Sequence, residues 1–423
     1  MSFLPPKIYI QRLKNILWHF PKAVLNNIRF GFPARKLTII GITGTDGKTT
    51  TCHLIYQSLA NSGHRVGLIS TTGIKINNQE YPPSLHTTSP DSYYVQKFLS
   101  KMVSQKITHV VLEVTAHGID QYRFWGCHFD VAAITNTSHE HLDDFVNMNT
   151  YIKAKSKLFR SAKFAILNHD DPSFSTISSQ LQIPFATYGQ TPTSTYQLSQ
   201  ITLTSDNLSF QVNNQQYITN SPYLYQTYNI LAALAVLNHL KIDPSVLRST
   251  ITHFPTIPGR REEVKNNLKI KCIIDFAHTP QALTDTLVSL KNTTRGRLIV
   301  IFGATGGRDP SKRPQMGKNV SQIADIAIVT SDDTRKEKIV NISEQIISGF
   351  DQLRLEQKQF TYFYLPNRQD AFNQAVKISR PGDTIVACGK GHENTILIGT
   401  TEYPWSESEA FRTAFRLKTH GKL

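Results

Sequence analysis

The sequence predicts an α/β fold made of two parallel-sheet domains, and three observations lead to this prediction. The chain has 423 residues, enough for two or three domains that each bury a core. From Lys36 onward, short apolar runs alternate with stretches of helical periodicity, the pattern of a parallel sheet covered by helices. A second series of this kind follows the segment PTIPGRREE, whose prolines and glycine mark a domain boundary.

The pattern divides the chain into a basic amino-terminal segment, residues 1–35, a central domain, residues 36–258, and a carboxy-terminal domain, residues 259–423. The predicted strands of the central domain are KLTIIGITG, RVGLIST, THVVLEV and DVAAITN. Its predicted helices run from Thr49 to Ser62, from Ser92 to Val103 and from about Tyr228 to Leu240. Short polar runs between Tyr196 and Tyr225 predict antiparallel hairpins attached to the same domain. The runs IKCIIDFAH, RLIVIFGATG, ADIAIVTSDD, FTYFYLP and DTIVACGKG predict a second doubly wound, Rossmann-like sheet.

Composition excludes several classes of protein. With 39% hydrophobic and 18% charged residues, and no apolar run near 18 residues, the chain is predicted to be neither disordered nor membrane-spanning. The net charge of +15 favours anionic partners, but no nucleic-acid-binding module is recognisable, and we expect no nucleic acid. Four cysteines far apart in sequence predict neither a zinc site nor a disulfide framework, which fits the reducing cytoplasm.

The amino-terminal segment is basic and amphipathic and lacks the features of a signal peptide. Its apolar residues recur at near-helical spacing: Ile8, Leu13, Ile16, Leu17 and Phe20, opposite Lys7, Arg12 and Lys14, with Trp18 alongside. Two interpretations stay open. The helix either packs against the body of the protein or contacts a membrane surface peripherally.

The strongest chemical signal is a phosphate-binding loop between a predicted strand and a predicted helix, made of Gly44, Thr45, Asp46, Gly47, Lys48, Thr49 and Thr50. Glycines let backbone N–H groups surround phosphate, Lys48 can reach terminal phosphates, and Thr49 can ligate Mg²⁺. Ile42 stands where the general motif has its first glycine, so this is a shortened variant. The central domain is therefore predicted to be P-loop ATPase-like and to bind ATP.

Two further side chains are predicted to reach the same edge of the sheet. Glu113 ends the strand THVVLEV, and His141 follows the strand VAAITN. Open α/β sheets bind their ligands at the carboxyl ends of the strands, so both residues are expected near Thr49. A carboxylate, a hydroxyl and an imidazole suit a divalent ion that bridges nucleotide phosphate and substrate.

The order of these motifs resembles the Mur ligase family, and within it the MurE type, which adds the third residue of the peptidoglycan stem peptide. The resemblance covers about nine-tenths of the chain, from about Lys36 to the end. The matching motifs are GTDGKTTT, HTTSP, LEVTAHGIDQYR, TNTSHEHLDDF, YIKAKSKLF, YNILAALAV, PGRREEV, IIDFAHTPQAL, FGATGGRDPSKRPQMG, TSDDTRKE and CGKGHEN.

The resemblance implies roles for particular residues. Lys48, Glu113, His141 and Lys155 are the implied catalytic residues, and Thr49, Glu113, His141 and Lys155 are the implied ligands of two Mg²⁺ ions. Lys155, rather than Lys153 or Lys157, aligns with the family's carbamylated lysine, whose modification gives an anionic oxygen ligand. Asn229 is implied to face the adenine, and Arg260 and Asp275 the phosphate and ribose, as the two domains close over ATP.

The resemblance also implies two substrate sites. Thr87, Thr88, Thr115, Gln121 and Arg123 match positions that contact the muramoyl peptide, and Asp332, Arg335, Gly389 and Glu393 match positions near the incoming amino acid. An arginine suits a bidentate grip on a carboxylate, which meso-diaminopimelate has at its far end and lysine lacks. Meso-diaminopimelate is therefore favoured over lysine.

The sequence departs from the family pattern at four places. Asp46 replaces an asparagine in the phosphate loop, and Asp332-Asp333-Thr334-Arg335 replaces Asp-Asn-Pro-Arg. Val114-Thr115-Ala116 lacks one of two usual serines. Few residues precede the phosphate loop, whereas members of this type carry an amino-terminal domain of roughly 90 residues that holds uridine diphosphate.

The predicted function is ATP-dependent addition of a diamino acid to UDP-N-acetylmuramoyl-L-alanyl-D-glutamate through an acyl phosphate, a step of peptidoglycan biosynthesis and hence of cell shape and division. We expect a monomer. One alternative is ligation to another acceptor, either a lipid-linked muropeptide or a folylpolyglutamate-like substrate. Another is a non-catalytic nucleotide-binding partner of cell-wall assembly.

Overall fold

The computed structural model describes residues 6–77, 79–81, 89–138, 145, 147–204, 207–221 and 223–423. Three predicted site residues, Thr87, Thr88 and His141, lie outside these ranges. The chain divides into two compact units, Met1–Phe254 and Pro255–Leu423. Within the described ranges, none of the helices combines the length and the apolar character that crossing a bilayer requires.

The first unit combines helices with one large sheet. Its helices are α1 (Pro6–Lys14), α2 (Phe20–Arg29), α3 (Lys48–Asn61), α4 (Ser92–Ser104), α5 (Ala116–Asp120), α6 (Met148–Ser156), α7 (Phe174–Ser178), α8 (Tyr225–His239) and α9 (Pro244–Thr252). Its strands are β1 (Thr38–Thr43), β2 (Val66–Ser70), β3 (Gly73–Ile76), β4 (Gln79–Tyr81), β5 (His109–Glu113), β6 (Val131–Ile134), β7 (Ala165–Asn168), β8 (Phe185–Gly189), β9 (Tyr196–Leu203), β10 (Leu208–Val212) and β11 (Gln215–Thr219).

The strand order of this sheet is β11-β10-β9-β8-β7-β6-β1-β5-β2-β3-β4. Strands β2, β5, β1, β6, β7, β8 and β9 pair in parallel, and the predicted hairpins β9, β10 and β11 pair antiparallel. The central strand β1 pairs with β5 on one side and β6 on the other. The carboxyl ends of β5, β1 and β6 therefore meet at one edge, where a doubly wound sheet binds ligands.

Helices cover both faces of the first sheet, which explains why its central strands are continuous apolar runs. One face packs against α3, α8 and α9, and the other packs against α4. Strand β1 is buried from Ile39 to Thr43. A strand buried on both faces cannot show the alternating pattern of a half-exposed strand, and the sequence TIIGIT does not.

The second unit contains a smaller sheet and a separate hairpin. Its helices are α10 (Pro280–Thr293), α11 (Lys312–Ile323), α12 (Ile339–Ile347), α13 (Gln352–Glu356), α14 (Arg368–Ile378) and α15 (Glu407–Thr419). Its strands are β12 (Glu262–Glu263), β13 (Lys271–Asp275), β14 (Leu298–Phe302), β15 (Ile326–Val329), β16 (Thr361–Tyr364), β17 (Thr384–Cys388), β18 (Thr395–Ile398) and β19 (Thr401–Pro404). The sheet order is β12-β13-β17-β14-β15-β16, and the strands from β13 to β16 pair in parallel, as the predicted Rossmann-like pattern requires.

The amino-terminal helices α1 and α2 contact the rest of the first unit through polar residues. Asn15 donates to the Asp120 carboxylate at 3.1 Å, Asn26 to the Ser92 hydroxyl at 2.9 Å, and Asn27 to the Trp125 carbonyl at 2.7 Å. These three asparagines are buried. Each hydrogen bond needs one particular partner, so the contact fixes how the helices lie on the body.

Most of the large apolar residues of α1, α2 and the turn between them face outward instead, whereas Phe20 contacts Tyr122 and Trp125. Leu17 is 71% exposed and Trp18 is 63% exposed, and Leu13, Leu25 and Ile28 are exposed as well. Of the two interpretations left open by the sequence, the helices do contact the body, but most of their large apolar residues do not cover its core. Amphipathicity is therefore inverted relative to an ordinary surface helix.

A single π-helical turn, Asn15–His19, joins α1 to α2 and changes which residues of α2 lie below Asn15. Asn15 and Ala23, both buried, are eight residues apart. In an uninterrupted α-helix that separation would place them roughly 80° apart around the axis. A π turn contains more residues per turn than an α-helix, so it reduces the rotation between Asn15 and Ala23. Ala23 is thereby returned to the buried face.

The inverted contact predicts a difference between two neighbouring substitutions. Asn27→Ala should lower the free energy of unfolding by about 1–3 kcal/mol, because Asn27 is fully buried and is the nearest donor to the partly buried Trp125 carbonyl. Leu25→Ala should change it by less than about 0.5 kcal/mol, because Leu25 is exposed. Urea denaturation followed by tryptophan fluorescence reports on both variants, since Trp18 and Trp125 lie in this unit. The opposite order of effects would contradict the inverted arrangement.

Candidate active site

The predicted phosphate-binding loop lies between the carboxyl end of β1 and the amino end of α3. Gly44 and Gly47 have φ angles of 145° and 80°, which residues with a Cβ rarely adopt. Space is also lacking, because a Cβ on Gly44 would lie 1.8 Å from Thr135 Oγ1, and one on Gly47 would lie 2.2 Å from Asn229 Oδ1. The loop therefore requires glycine at both positions, as in backbone loops that bind phosphate before a helix.

The segment after β6 holds the loop in position. The Thr135 hydroxyl donates to the Asp46 carbonyl at 2.6 Å, and the Asn136 amide donates to the same carbonyl at 3.2 Å. In return, the backbone N–H of Asp46 donates to Oδ1 of Asn136 at 2.9 Å. The loop is thus preorganised by its own neighbours, which lowers the ordering cost of binding a ligand.

Asp46, which departs from the family pattern, lies on the side of the loop formed by this same segment. Its carboxylate is 3.4 Å from the Ser138 hydroxyl. The backbone N–H of Ser138 donates to Oγ1 of Thr45 at 3.0 Å. A hydrogen-bonding hydroxyl partly offsets the cost of an extra anion near a phosphate site.

Glu113 links two neighbouring segments at the edge of the first sheet where the parallel strands end. Its buried carboxylate accepts hydrogen bonds from the Thr49 hydroxyl at 3.0 and 3.1 Å, from the Thr71 hydroxyl at 2.8 Å and from the Thr71 N–H at 2.9 Å. Thr49 lies in the first turn of α3, and Thr71 directly follows β2. Lys48 lies over the loop with its Nζ 2.7 Å from the Thr45 carbonyl.

Lys155 contacts the phosphate loop directly. It is 1% exposed, and its Nζ donates to the Gly44 carbonyl at 2.6 Å and lies 4.3 Å from the centre of the Tyr151 ring. The lysines on either side have different surroundings: Lys153 is exposed, and Lys157 forms an ion pair with Asp120. Only the middle lysine of YIKAKSKLF therefore reaches the loop.

The candidate acceptor residues form a separate hydrogen-bonded group. Thr115 caps α5 and lies 2.9 Å from the Ser89 hydroxyl. The Arg123 guanidinium donates to the Gln121 side chain at 2.7 and 3.1 Å and to the Ser89 carbonyl. Burial lowers the pKa of Arg123, although nearby Asp91 favours its charged form. Thr115, Gln121 and Arg123 are thus brought together around Ser89.

Two of the residues predicted to bind the nucleotide lie in the second unit. The Arg260 guanidinium stacks over the Phe276 ring at 4.5 Å. Asp275 ends β13, and its carboxylate accepts from the N–H groups of Arg261 and Ala277 at 2.9 and 3.0 Å. The Asp275 carboxylate therefore organises the backbone at the carboxyl edge of the second sheet.

The residues predicted to bind the incoming amino acid lie around a buried lysine. Lys390 is fully buried, and its Nζ donates to Asp333 at 2.7 Å and pairs with Glu393. Burial lowers the pKa of Lys390, but Asp332, Glu393 and Asp333 outweigh this effect, so its pKa is raised. Asp333, which departs from the family's asparagine, thus helps to neutralise a buried ammonium group.

Burial acts differently on two carboxylates of this cluster. It raises the pKa of Glu393. It would also raise that of Asp332, but Lys390 and Arg368 outweigh it, so the pKa of Asp332 is lowered. Gly389 leaves room for Asp332, because a Cβ there would lie 2.6 Å from Oδ2. These charges give the site a defined anionic side.

Arg335 lies on the same loop in a left-handed conformation, with φ of 51°. Its N–H donates to the Leu397 carbonyl at 3.2 Å. A Cβ on Gly307 would be 3.8 Å from its Cδ. The contact with β18 fixes the backbone from which the guanidinium extends.

The donors at Glu113 fit a hard divalent ion. Within the described ranges, no three His, Cys, Asp or Glu side chains converge as a metal-ion site would need. Thr49 and Glu113 do supply oxygen donors beside the phosphate loop. Mg²⁺ commonly takes one or two protein oxygens and completes its coordination with phosphate and water, so this pair fits it.

Sequence reasoning missed four residues of these groups: Ser89, Thr71, Tyr151 and Lys390. Ser89, Tyr151 and Lys390 lie inside the matching motifs HTTSP, YIKAKSKLF and CGKGHEN. Thr71 carries a physical signal, since it directly follows a parallel strand. That position could have identified it.

Comparison with known proteins covers most of the chain. Residues 42–237 match the Mur ligase middle domain, and residues 259–391 match the Mur ligase, glutamate ligase domain. The UDP-N-acetylmuramoyl-L-alanyl-D-glutamate--2,6-diaminopimelate ligase of Geobacillus thermodenitrificans is 32% identical over 407 residues, which cover 93% of this chain and 82% of that protein.

Solved structures give the same picture. A structure of a UDP-N-acetylmuramoyl-L-alanyl-D-glutamate--2,6-diaminopimelate ligase has a TM-score of 0.61 and 28% identity, covering 91% of this chain and 79% of that one. Folylpolyglutamate synthase of Mycobacterium tuberculosis, complexed with ADP and AMPPCP, has a TM-score of 0.72 at 16% identity, covering 93% and 95%. The second likeness is one of fold.

The phosphate loop generates a prediction with a matched control. Gly44→Ala should weaken binding of a non-hydrolysable Mg-ATP analogue by at least about tenfold, because the new Cβ would meet Thr135. Gly63→Ala is the control, since Gly63 also has a positive φ, 86°, but nothing within 4 Å of an added Cβ. Isothermal titration calorimetry measures both. Equal losses would show that the close contact at Thr135 is unimportant.

Proposed function

The chain belongs to the Mur ligase family, and we propose that it joins meso-diaminopimelate to UDP-N-acetylmuramoyl-L-alanyl-D-glutamate at the expense of ATP. It is an ATP-dependent acid–amino-acid ligase. One structural observation carries the proposal most directly. The glycine-dependent phosphate loop, buried Glu113 and buried Lys155 meet at the carboxyl edge of one sheet. Such an edge is where an α/β sheet performs phosphoryl chemistry.

The reaction begins with activation of a carboxylate. A carboxylate oxygen of the acceptor attacks the γ-phosphorus of ATP, the bond to the β,γ-bridging oxygen breaks, and ADP leaves. The product is an acyl phosphate. Negative charge on the transferring group is offset by the loop N–H groups, the amino end of α3 and Lys48. Lys48 Nζ donates to the Thr45 carbonyl, and a bound phosphate would take the place of that acceptor.

Amide formation completes the reaction. The neutral amine of the incoming amino acid attacks the acyl carbon, and inorganic phosphate leaves from the tetrahedral intermediate. Holding the two substrates in line supplies most of the rate. Neither step requires a covalent enzyme intermediate. The four cysteines are buried and free, and burial raises the pKa of each.

Magnesium would be held by Thr49 and Glu113, with His141 as a further ligand. When bound, Mg²⁺ neutralises phosphate charge and orients the transferring group. The supporting observation is that Glu113 already accepts from Thr49 and Thr71. Those contacts fix the carboxylate at the loop.

Lys155 is the proposed carbamate position for a second Mg²⁺. Carbon dioxide adds to the neutral amine of Lys155, and a proton leaves the nitrogen. The carbamate supplies oxygen ligands, which an ammonium cannot. Its contact with Gly44 and its burial beside Tyr151 support the role, since they set it apart from the solvent-facing Lys153.

The substrates are assigned to two groups of residues. We propose that Thr115, Gln121 and Arg123, together with Thr87 and Thr88, contact the muramoyl peptide. Asp332, Arg335, Gly389 and Glu393 would contact the amino acid, while Asn229, Arg260 and Asp275 would contact ATP. A carboxylate–amine pair suits the anionic cluster around Asp332 and the Arg335 guanidinium. Every proposed residue lies on this chain, so a monomer suffices.

A second candidate acceptor is favoured by one observation. The Phe20 ring of α2 packs at a tilt against Tyr122 and edge-to-face against Trp125, with ring centres 5.1 and 5.7 Å apart, and Tyr122 lies between Gln121 and Arg123 in sequence. The exposed apolar helices therefore border the proposed acceptor residues. This arrangement favours a lipid-linked muramoyl peptide as the alternative substrate of the same ligation.

Mass spectrometry of the product tests the function. Incubation with Mg-ATP, UDP-N-acetylmuramoyl-L-alanyl-D-glutamate and meso-diaminopimelate should yield an acceptor heavier by one diamino acid. Lysine, offered separately, should react poorly because it lacks the distal carboxylate.

Arg335→Ala should raise the KM for meso-diaminopimelate by about tenfold or more and that for lysine much less. Equal effects would refute the proposed contact.

The acceptor class is decided in the same assay. Product with the lipid-linked acceptor alone would support the second candidate. Product with neither acceptor, from a preparation that binds Mg-ATP by calorimetry, would contradict ligation of a muramoyl peptide.

Lys155→Ala tests the carbamate. Ligation should fall by at least about 10³-fold and recover in part with added formate or acetate, because a small carboxylate can replace the carbamate oxygens. Lys153→Ala is the control and should stay active, since that side chain is exposed. In protein equilibrated with ¹³C-bicarbonate, a carbamate carbon signal should appear in the wild type and vanish in Lys155→Ala. Full activity of Lys155→Ala would refute the assignment.

A further inference from the structure

The outer surface of the amino-terminal helices is apolar and exposed. We define this outer surface by six residues of α1, α2 and the turn between them: Tyr9, Leu13, Leu17, Trp18, Leu25 and Ile28. Their exposed fractions lie between 42% and 71%. Single exposed apolar residues are ordinary, but a contiguous group on one segment marks an interaction site.

The orientation of the helices makes this exposure a fixed property of the fold. The opposite face is anchored by Asn15, Asn26 and Asn27, each bonded to a partner on the body. Rotating the helices to bury Leu17 would break these bonds and leave buried polar groups unpaired. The chain therefore specifies the outward direction of its apolar residues.

The positive charge of the amino-terminal segment indicates what kind of partner the outer surface binds. The first 45 residues contain seven Lys and Arg residues and no Asp or Glu. Arg12 and Lys14 are exposed on α1 and flank Leu13 in sequence. An apolar stripe bordered by cations, with Tyr9 and Trp18 among its members, matches the interface of an anionic lipid bilayer.

We propose that the outer surface of α1 and α2 binds peripherally to anionic membranes, with the helices lying in the plane of the interface. Leu13, Leu17 and Trp18 enter the boundary between headgroups and acyl chains. Arg12 and Lys14 remain at the level of the lipid phosphates. Apolar burial and electrostatic attraction then act together, as membrane-surface helices require.

This placement has a consequence for the active site. Asn15 and Phe20 contact Asp120 and Tyr122, which flank Gln121. A membrane at the outer surface would be separated from the proposed acceptor residues by the amino-terminal helices alone, about 10 Å of protein. The consequence rests on the proposed function, whereas membrane binding itself does not.

Vesicle sedimentation with the full chain tests the proposal. The wild type should sediment with vesicles of phosphatidylglycerol and phosphatidylcholine, bind vesicles of phosphatidylcholine alone at least about tenfold more weakly, and dissociate in 0.5 M salt. The double variant Leu17→Ser with Leu25→Ser should bind at least about tenfold more weakly than the wild type. The matched control, Val288→Ser with Leu353→Ser, removes two exposed apolar residues from the second unit and should bind normally.

A charge pair and a fluorescence signal complete the test. Arg12→Gln with Lys14→Gln should weaken binding to anionic vesicles, and Lys265→Gln with Lys377→Gln should not, although both pairs remove two exposed positive charges. Fluorescence of Trp18 should shift to shorter wavelength on vesicle binding.

Absence of wild-type binding to anionic vesicles, or equal binding by the apolar variant and its control, would overturn the proposal. Ligation of the soluble acceptor without vesicles should be unchanged in the helix variants. Failure of membrane binding and failure of the ligase are therefore separate results.

Discussion

The architecture of the active site depends on one buried carboxylate. Glu113 ends a strand at the centre of the first sheet and accepts hydrogen bonds from Thr49 and Thr71. Thr49 lies in the first turn of the helix after the phosphate loop, and Thr71 follows the neighbouring strand. A buried carboxylate without donors would be costly, so these contacts are required for its burial as much as for positioning. The same bonds therefore stabilise the sheet edge and orient an oxygen donor beside the loop.

In the second unit the buried charges are cations, and they too are paired. Arg368 is buried against Glu407 at 2.5 Å and donates to the carbonyls of Ser331 and Cys388. These carbonyls belong to the loops that carry Asp332 and Gly389. Lys390 is neutralised by Asp333 and Glu393. Each cation thus joins loops from different strands, and removing one partner would leave a buried charge uncompensated. An aspartate in place of the family's asparagine is consistent with this balance.

The local sequence pattern was enough to predict the strands and helices of the two sheets and the position of the phosphate loop. Continuous apolar runs identified strands buried on both faces, and the helix after the loop, predicted from Thr49 to Ser62, spans Lys48–Asn61. The helix predicted from Tyr228 begins earlier, at Tyr225. Pairings between distant residues were beyond the sequence, because periodicity carries no information about partners far along the chain. Thr71 on Glu113 and Arg368 on Glu407 are pairings of this kind.

The amino-terminal helices show why periodicity alone could not decide their orientation. A hydrophobic stripe fixes the period of a helix, but the side that meets the protein depends on what the body offers there. Here the body offers the Asp120 carboxylate, the Ser92 hydroxyl and the Trp125 carbonyl, which need donors rather than apolar contacts. Asparagines satisfy them, and the π turn between the helices returns Ala23 to the buried face. The apolar stripe is consequently directed outward, together with the positive charges beside it, and its exposure follows from hydrogen bonding beneath it.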